Sequence, residues 1–170
     1  MASPFAWHEA GHAVIAEALG LAVDEVSIVR DGRVRGYMES ADHVSLYDAA
    51  LRSRVDRIDI RDDLDALAIV SAAGPMAQHR ARTYRNSMSA DEWADAGGEG
   101  DAAVLLALCE RFGDGSEPWM RTMLLEAQRL VAENWLAIME LARRLTVVQQ
   151  LDGDHTRAVI DLVDNRRIPA

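Results

Sequence analysis

The sequence has almost no cysteine and no long apolar segment, and each absence excludes a class of protein. Only Cys109 is a cysteine, so no internal disulfide can form, and its apolar neighbours predict a core position. No apolar run approaches the roughly 20 residues that a membrane-spanning helix needs. Residues 1–5 also lack the charged and hydrophobic regions of a signal peptide. We therefore expect a soluble cytoplasmic protein, with no membrane insertion of this chain.

Basic residues are in the minority. The sequence has 18 Lys and Arg residues against 28 Asp and Glu residues, a formal net charge of -10. Nucleic-acid binding is driven mainly by basic patches that contact phosphates, so this balance argues against a nucleic-acid partner. Arg80, Arg82 and Arg85 form a local cluster, which we interpret as the solvated C-terminal end of a helix. A basic docking patch is the alternative interpretation.

The rest of the composition is that of one globular domain. Apolar residues make up 49% of the sequence and charged residues 27%, and 170 residues suffice for one core but not for two domains of ordinary size. We therefore expect a single domain over residues 1–170. No internal repeat or low-complexity segment stands out.

The hydrophobic pattern predicts a mainly α fold with a small β-sheet or hairpin. β-Branched residues concentrate in residues 23–29 and 34–38, on either side of the Asp31 and Gly32 pair, which favours a tight turn. This pattern predicts a hairpin with an edge strand.

Several further helices are predicted. A helical pattern extends from residue 48 to about residue 82, and Pro75 is expected to interrupt or bend it. Pro118 begins a long amphipathic helix, and Asn134 caps the next one. Asp152 or Asp154 caps the last helix.

Another helix is predicted near the N-terminus. Ser3 suits its N-cap and Pro4 its first turn, residues 6–19 contain no proline, and Gly20 offers a stop. The small and apolar residues of this segment are typical of a buried helix. Gly11 permits another element to approach it closely.

This helix contains an HExxH pattern formed by His8, Glu9 and His12. Residues four apart lie on the same helix face, so both imidazoles can bind one Zn²⁺ while Glu9 reaches a water molecule on the metal. A catalytic zinc keeps three protein ligands and one open position, so a third ligand must lie elsewhere. The extended pattern HExxHxxGxxH is excluded, because Ile15 and Ala18 occupy its glycine and last histidine positions.

Asp101 is the candidate for the third ligand. It follows the glycine-rich residues 97–100 and stands near the start of an apolar helix, where a carboxylate is favoured by the helix dipole. The spacing alone leaves two interpretations open, a metal ligand or an N-cap. His43 and His155 lie in polar stretches and are interpreted as solvated, whereas a role of His79 near the metal stays open.

The chain resembles the peptidase domain of the FtsH family, the ATP-dependent zinc metalloproteases, in order along most of its length. Residues 6–14, AWHEAGHAV, are similar to the family's AYHEAGHA segment, and residues 73–77 resemble its GGRAAE helix. Residues 97–101 stand where the family has a TGASND segment, whose final aspartate is the third zinc ligand. The resemblance therefore implies that Asp101 completes the ligand set.

The resemblance also implies an activity. We expect an FtsH-like zinc-dependent endopeptidase in which His8, His12 and Asp101 hold Zn²⁺ and Glu9 acts as the general base. The substrate is expected to be a peptide or an unfolded protein, bound in extended form along the strand of residues 34–38. A hairpin that only covers the core is the alternative interpretation of that strand.

Two departures from the family bear on this expectation. The family has an acidic residue where this chain has Gln78, so a carboxylate that supports the ligands is missing or replaced. No Walker-type GxxxxGK[ST] motif is present, so we expect an action on unfolded substrates or with an ATPase supplied in trans. The family forms hexameric rings with the help of its ATPase module, which leaves oligomer formation open here.

Two other classes of function remain as alternatives. The first is a catalytically inactive zinc-binding interaction or regulatory module of the same fold, which keeps the metal without turnover. The second is a helical interaction domain in which the HExxH pattern is accidental. Metal analysis together with an activity assay distinguishes all three classes.

Overall fold

The computed structural model describes residues 2–29, 36–40, 61–85, 88–89, 92–93 and 99–165. Over these residues the fold is mainly helical with a three-stranded antiparallel sheet, which confirms the predicted fold class in its coarse form. The helices are α1 Pro4–Ala18, α2 Arg61–Thr83, α3 Glu99–Phe112, α4 Ser116–Glu133, α5 Trp135–Val148 and α6 Gly153–Asn165. The strands are β1 Glu25–Ser27, β2 Tyr37–Glu39 and β3 Gln150–Asp152.

Helix α1 begins and ends where the sequence predicts. The Ser3 hydroxyl accepts a hydrogen bond from the backbone N–H of Ala6 at 3.1 Å, and Pro4 lies in the first turn. The first backbone N–H groups of a helix have no acceptor within the helix, and the Ser3 hydroxyl supplies one. At the other end, Gly20 has a φ of +80°, a left-handed conformation that favours glycine and turns the chain out of the helix.

Helix α1 lies in the middle of the fold. Every residue from Ala6 to Ala16 is buried except Trp7, which is half-buried. Its most extensive packing is against α2, and it also packs against α5. A Cβ atom at Gly11 would lie 2.7 Å from the carbonyl oxygen of Ala73, so only glycine permits this close contact between α1 and α2. The predicted close approach at Gly11 is thus confirmed.

Helix α2 differs from the prediction at Pro75. The helix continues through this residue from Arg61 to Thr83, so the predicted interruption is wrong. Pro75 is fully buried, and α2 packs against α1 and α4. These packing contacts stabilise the helix, although proline lacks the backbone N–H that would donate one helical hydrogen bond. The first part of the predicted helical stretch, residues 48–60, lies outside the described residues.

The sheet has the strand order β2-β1-β3, with both outer strands antiparallel to β1. Val26 of β1 pairs with Met38 on one side and with Leu151 on the other. The pairing of β1 with β2 agrees with the predicted hairpin, although its turn at Asp31 and Gly32 lies outside the described residues. Strand β3 was not predicted, because three residues that pair with a distant strand carry no local periodicity.

The C-terminal helices show one further difference. Asn134 stands at the N-cap position of α5, but its side chain makes no bond to that helix and donates to the carbonyl of Leu130 in α4 instead. The predicted position of Asn134 at the start of α5 is therefore confirmed, whereas a capping bond from its side chain is not formed. The Asp152 carboxylate accepts from the backbone N–H of His155, so Asp152 rather than Asp154 caps α6.

One hydrophobic cluster includes residues from every described helix. Met123 and Leu130 are buried in it, and the partly buried Trp93 packs against it. Cys109 is half-buried, so the predicted core position is only partly correct. Among the described helices, none combines the length and the apolar character that crossing a bilayer requires.

Candidate metal centre

His8, His12 and Asp101 converge at one point in the fold. The Nε2 atom of His8 lies 3.0 Å from Oδ2 of Asp101, and Nε2 of His12 lies 3.3 Å from its Oδ1. One ligand atom from each residue lies within 4.8 Å of the others, although Asp101 is 93 positions from His8. Helix α1 supplies both histidines, one turn apart, and α3 supplies the carboxylate. This group can hold a metal ion.

Asp101 lies in the first turn of α3, which begins two residues earlier at Glu99. It therefore does not occupy the N-cap position, which was the alternative interpretation of this residue. Its carboxylate contacts two imidazoles instead of the backbone donors of its own helix. The helix N-terminus still favours a negative charge at this position.

The ring of His12 is held in one orientation. Its Nδ1 atom lies 2.8 Å from the carbonyl oxygen of Val70, which accepts a hydrogen bond from Nδ1–H. This bond directs Nε2 towards Asp101 and leaves that nitrogen as the ligand atom. A Cβ atom at Gly74 would lie 2.3 Å from Nε2, so the space for this ring exists only because residue 74 is glycine.

His8 has a different polar neighbour. The side chain of Gln78 hydrogen-bonds to His8, in addition to the contact between His8 and Asp101. Histidine ligands in proteins are generally oriented by such a partner, and a neutral amide can do so without adding charge.

Glu9 lies between the two histidines in sequence and is buried, with 7% of its surface exposed. A Cβ atom at Gly36 would lie 2.7 Å from Oε1 of Glu9. The backbone that leads into β2 therefore passes directly beside this carboxylate. Any side chain at position 36 would compete with Glu9 for its space.

The charges of the site are strongly coupled. Burial by itself lowers the pKa of His12, but the adjacent Asp101 carboxylate outweighs burial and raises that pKa to about 9. Burial by itself raises the pKa of Asp101, but His12 and the hydrogen bonds from both histidines hold it well below its usual range. In the metal-free protein His12 is therefore a cation paired with an Asp101 anion. The Asp101 carboxylate therefore favours a positive charge beside it, either on His12 or on a bound metal ion.

His8 and Glu9 respond mainly to their burial. Burial lowers the pKa of His8, against the opposing effect of its hydrogen bond with Asp101. Burial also raises the pKa of Glu9 to about 7, although the charge of His12 opposes this rise. A carboxylate with a pKa near neutrality can both accept and return a proton.

The other histidines stand apart from this centre. His79 is buried, and neither of its ring nitrogens has a hydrogen-bond partner among the described residues. It does not belong to the His8, His12 and Asp101 group. His155 is exposed and bonds to Asp152, in agreement with its interpretation as a solvated residue. His43 lies outside the described residues.

Sequence reasoning missed several contributions to the site. The carbonyl of Val70 belongs to the backbone and carries no residue-type signal, and the space at Gly74 depends on how α2 packs against α1. Gln78 was noted only as a departure from a family pattern. Its contact with His8 follows from the same packing.

No protein-family model matches the chain, and no curated protein matches it. The three converging residues define a class of site, a candidate metal centre with two histidines and one aspartate. These comparisons assign the chain to no family.

Proposed function

We propose that this protein is a zinc-dependent endopeptidase of the FtsH type. The single observation that supports it most strongly is the convergence of His8, His12 and Asp101 within 4.8 Å, with Glu9 buried beside them. The chance occurrence of an HExxH pattern gives no reason for a carboxylate from a distant helix to meet both imidazoles. The helical HExxH segment, together with the carboxylate of Asp101 as the third ligand, favours a peptidase over a structural metal site.

The donor set fits zinc. Two imidazole nitrogens and one carboxylate oxygen are ligands that zinc accepts, and three protein ligands leave a position open. The fixed ring of His12 and the ring-sized space at Gly74 suit a preformed site. Zinc bound there would polarise a carbonyl oxygen and ease deprotonation of water near neutral pH.

Glu9 acts as the general base in this proposal. Its raised pKa, about 7 in the metal-free protein, matches a group that takes a proton from attacking water and passes it to the leaving amine. His8 and His12 would hold the metal in this proposal, so their ligating nitrogens would not be free to accept a proton. Gln78 positions His8, and the Val70 carbonyl positions His12.

The substrate binds as an extended peptide along β2. Among the described residues β2 pairs only with β1, so its outer edge offers free backbone groups. Residue 36, which leads into this strand, contacts Glu9, so a peptide paired with β2 passes the catalytic carboxylate. Only an unfolded segment can present its backbone in this way, and a folded substrate would require an ATPase acting in trans.

Metal analysis combined with a peptidase assay tests the proposal. The purified protein is expected to contain about one zinc per chain and to cleave casein, with loss of cleavage after chelation and recovery after zinc addition. A Glu9→Gln variant is expected to retain the metal and lose at least about a hundredfold in kcat/KM, since general-base catalysis contributes roughly that factor. Cleavage by the variant at the wild-type rate would remove Glu9 as the base.

A metal-binding module without turnover is the second candidate function. It is favoured by Gln78, which contacts His8 with a neutral amide where the resembling family has an acidic residue. This candidate predicts one bound zinc and no cleavage of casein or of any tested peptide. A protein that contains no metal after purification in zinc-supplemented medium would contradict both candidates.

A further inference from the structure

A second site lies next to the candidate metal centre. A pocket of about 590 Å³ is formed by the start of α1, the C-terminal part of α2 and helix α5. The rings of Trp7 and Trp135 stack in it, with centroids 5.1 Å apart and planes 6° from parallel. Gln78 lines the same pocket and hydrogen-bonds to His8, so the pocket borders a proposed metal ligand.

The pocket carries positive charge in an acidic protein. Arg80 and Arg82 line it, and no Asp or Glu of the described residues does. All 18 basic residues of the sequence are arginines, against 28 acidic residues. The third arginine of the local cluster, Arg85, forms an ion pair with Glu92 and does not line the pocket. The predicted solvated helix end thus describes Arg85 better than it describes Arg80.

Among the residues that the structure describes, no acidic side chain forms an ion pair with Arg80. Its Cζ atom lies 4.4 Å from the centroid of the Trp135 ring, a cation-π contact. Its Nη1 atom is shielded from solvent and has no hydrogen-bond partner among the described residues. Burial lowers the pKa of this guanidinium. Arg80 is only partly buried and lines the pocket together with Arg82, so an anion is the ligand whose charge would complement this space.

We propose that this pocket binds a carboxylate of the peptide substrate, with Arg80 and Arg82 as its cationic partners and the Trp7 and Trp135 rings as the surface for an adjoining apolar side chain. The identification of the ligand as substrate rests on the proposed peptidase function. An arginine fork fits a carboxylate better than any other side chain does, and apolar pockets with a few polar groups are the usual form of ligand sites. The carboxylate belongs to an Asp or Glu side chain or to the C-terminus of the peptide.

Peptide binding to the zinc-loaded Glu9→Gln variant of the 170-residue chain tests this proposal, since the peptide then stays intact. Three probes are compared by calorimetry: Ac-Ala-Phe-Glu-Ala-amide, Ac-Ala-Phe-Gln-Ala-amide, and Ac-Ala-Phe-Gln-Ala with a free carboxylate. At least one of the two charged peptides is expected to bind about tenfold more tightly than the neutral peptide, as one charged hydrogen-bonded contact provides. The one that does so identifies the source of the carboxylate.

The arginine is tested by substitution in the same background. Arg80→Gln is expected to abolish the preference for the charged peptide, whereas Arg121→Gln, an exposed arginine outside the pocket, retains it. If Arg80→Gln does not fold, Arg80→Lys replaces it, and a loss of about threefold in the preference is expected because lysine lacks the planar fork. Equal binding of all three peptides, or a preference unchanged by either Arg80 variant, would overturn the proposal.

Two further outcomes separate this site from its alternatives. Tighter binding of inorganic phosphate or adenosine monophosphate than of the charged peptides would assign the pocket to a phosphate ligand and overturn the peptide assignment. Absence of casein cleavage by the wild-type protein contradicts the proposed peptidase but leaves the binding result intact. The two failures are therefore distinguishable.

Discussion

At the scale of single residues, the site depends on small residues as much as on its ligands. Gly74 leaves the space that the His12 ring fills, and a Cβ atom there would lie 2.3 Å from Nε2. The ring cannot move away freely, because its Nδ1 atom is bonded to the Val70 carbonyl. Gly74, which has no side chain to bind a metal, thus determines where Nε2 of His12 lies.

Gly74→Ala is therefore expected to weaken metal binding by at least about tenfold, the lower end of what loss of a supporting contact costs. The added methyl group displaces the His12 ring and breaks its bond to Val70. Zinc affinity measured by competition with a chromogenic chelator checks this result. Gly115→Ala is the matched control, since nothing lies within 4 Å of a Cβ at that position. Wild-type affinity in the Gly74 variant would contradict this account of the ring.

Glu9 carries a pH dependence that belongs to the metal-free protein. Its pKa in the folded chain is about 7, against an ordinary value of 4.5. The folded state therefore binds the proton more tightly than the unfolded state does. Stability falls as the pH rises from about 4.5 to about 7 and stays reduced at higher pH, where burial of the ionised carboxylate costs up to roughly 3 kcal/mol.

Glu9→Gln is expected to stabilise the metal-free protein at pH 8, by up to roughly 3 kcal/mol, and to change little at pH 4.5. A neutral amide removes the buried charge at the higher pH, whereas at the lower pH the glutamate is already protonated. Urea unfolding at both pH values, with chelator present, measures the difference. A variant that gains equal stability at both pH values would show that shape, not charge, is responsible.

At the scale of elements, β2 brings the edge of the described sheet to the Glu9 carboxylate. The strand is short, but it is paired in register with β1 through Val26 and Met38, and this fixes where its first residues lie. Position 36 then comes within contact of Glu9. Strand β2, which among the described residues pairs with β1 alone, thus borders the proposed base.

Gly36→Ala is expected to lower kcat/KM by about tenfold to a hundredfold with little change in zinc content, because its methyl group would lie 2.7 Å from Oε1 of Glu9. That oxygen is the far end of a flexible side chain, so Glu9 moves while the ligands stay. Steady-state cleavage of a fluorogenic peptide, alongside metal analysis, separates the two effects. Loss of zinc in this variant would place residue 36 at the ligands instead.

At the scale of the whole molecule, the candidate centre joins two parts of the chain. Helix α1 lies in the middle of the fold and contributes both imidazoles, whereas α3 packs mainly against α2 and α4. A metal ion held by His8, His12 and Asp101 would tie α3 to the central helix. Ligand binding that is specific to the folded state stabilises it by mass action.

Chelation is therefore expected to lower the melting temperature of the zinc-loaded protein by roughly 5–10 °C, since saturation at about 100 times Kd contributes about 2.7 kcal/mol and each kcal/mol shifts a domain of this size by about 2–4 °C. Differential scanning calorimetry with and without chelator measures the shift. Glu9→Gln should show the same shift as the wild type, whereas Asp101→Ala should show none. A shift that persists in the Asp101 variant would mean that the metal binds elsewhere.

Local features of the fold were predictable from the sequence. The helix that carries His8, Glu9 and His12, its cap at Ser3 and its end at Gly20 all follow from residue types and spacings within one segment. The pairing of β1 with β2 follows in the same way. Such features depend on residues that are close together in the sequence, so the residue types and their spacing predict them.

The errors lie where a distant contact prevails over local preference. Pro75 was expected to interrupt or bend the helical stretch, but α2 is not interrupted there, because it is packed against α1 and α4. Asn134 was expected to cap α5 and instead bonds to the preceding helix. Strand β3 exists only because β1 lies beside it.

For the site, the sequence by itself determined two imidazoles on one helix face and the carboxylate between them, because a helix places residues four apart together. Only the tertiary structure brings Asp101 to both imidazoles, leaves room at Gly74 for the His12 ring and sets Arg80 on Trp135. Each of these contacts joins different helices. Their geometry is fixed by packing, which no spacing along the chain expresses.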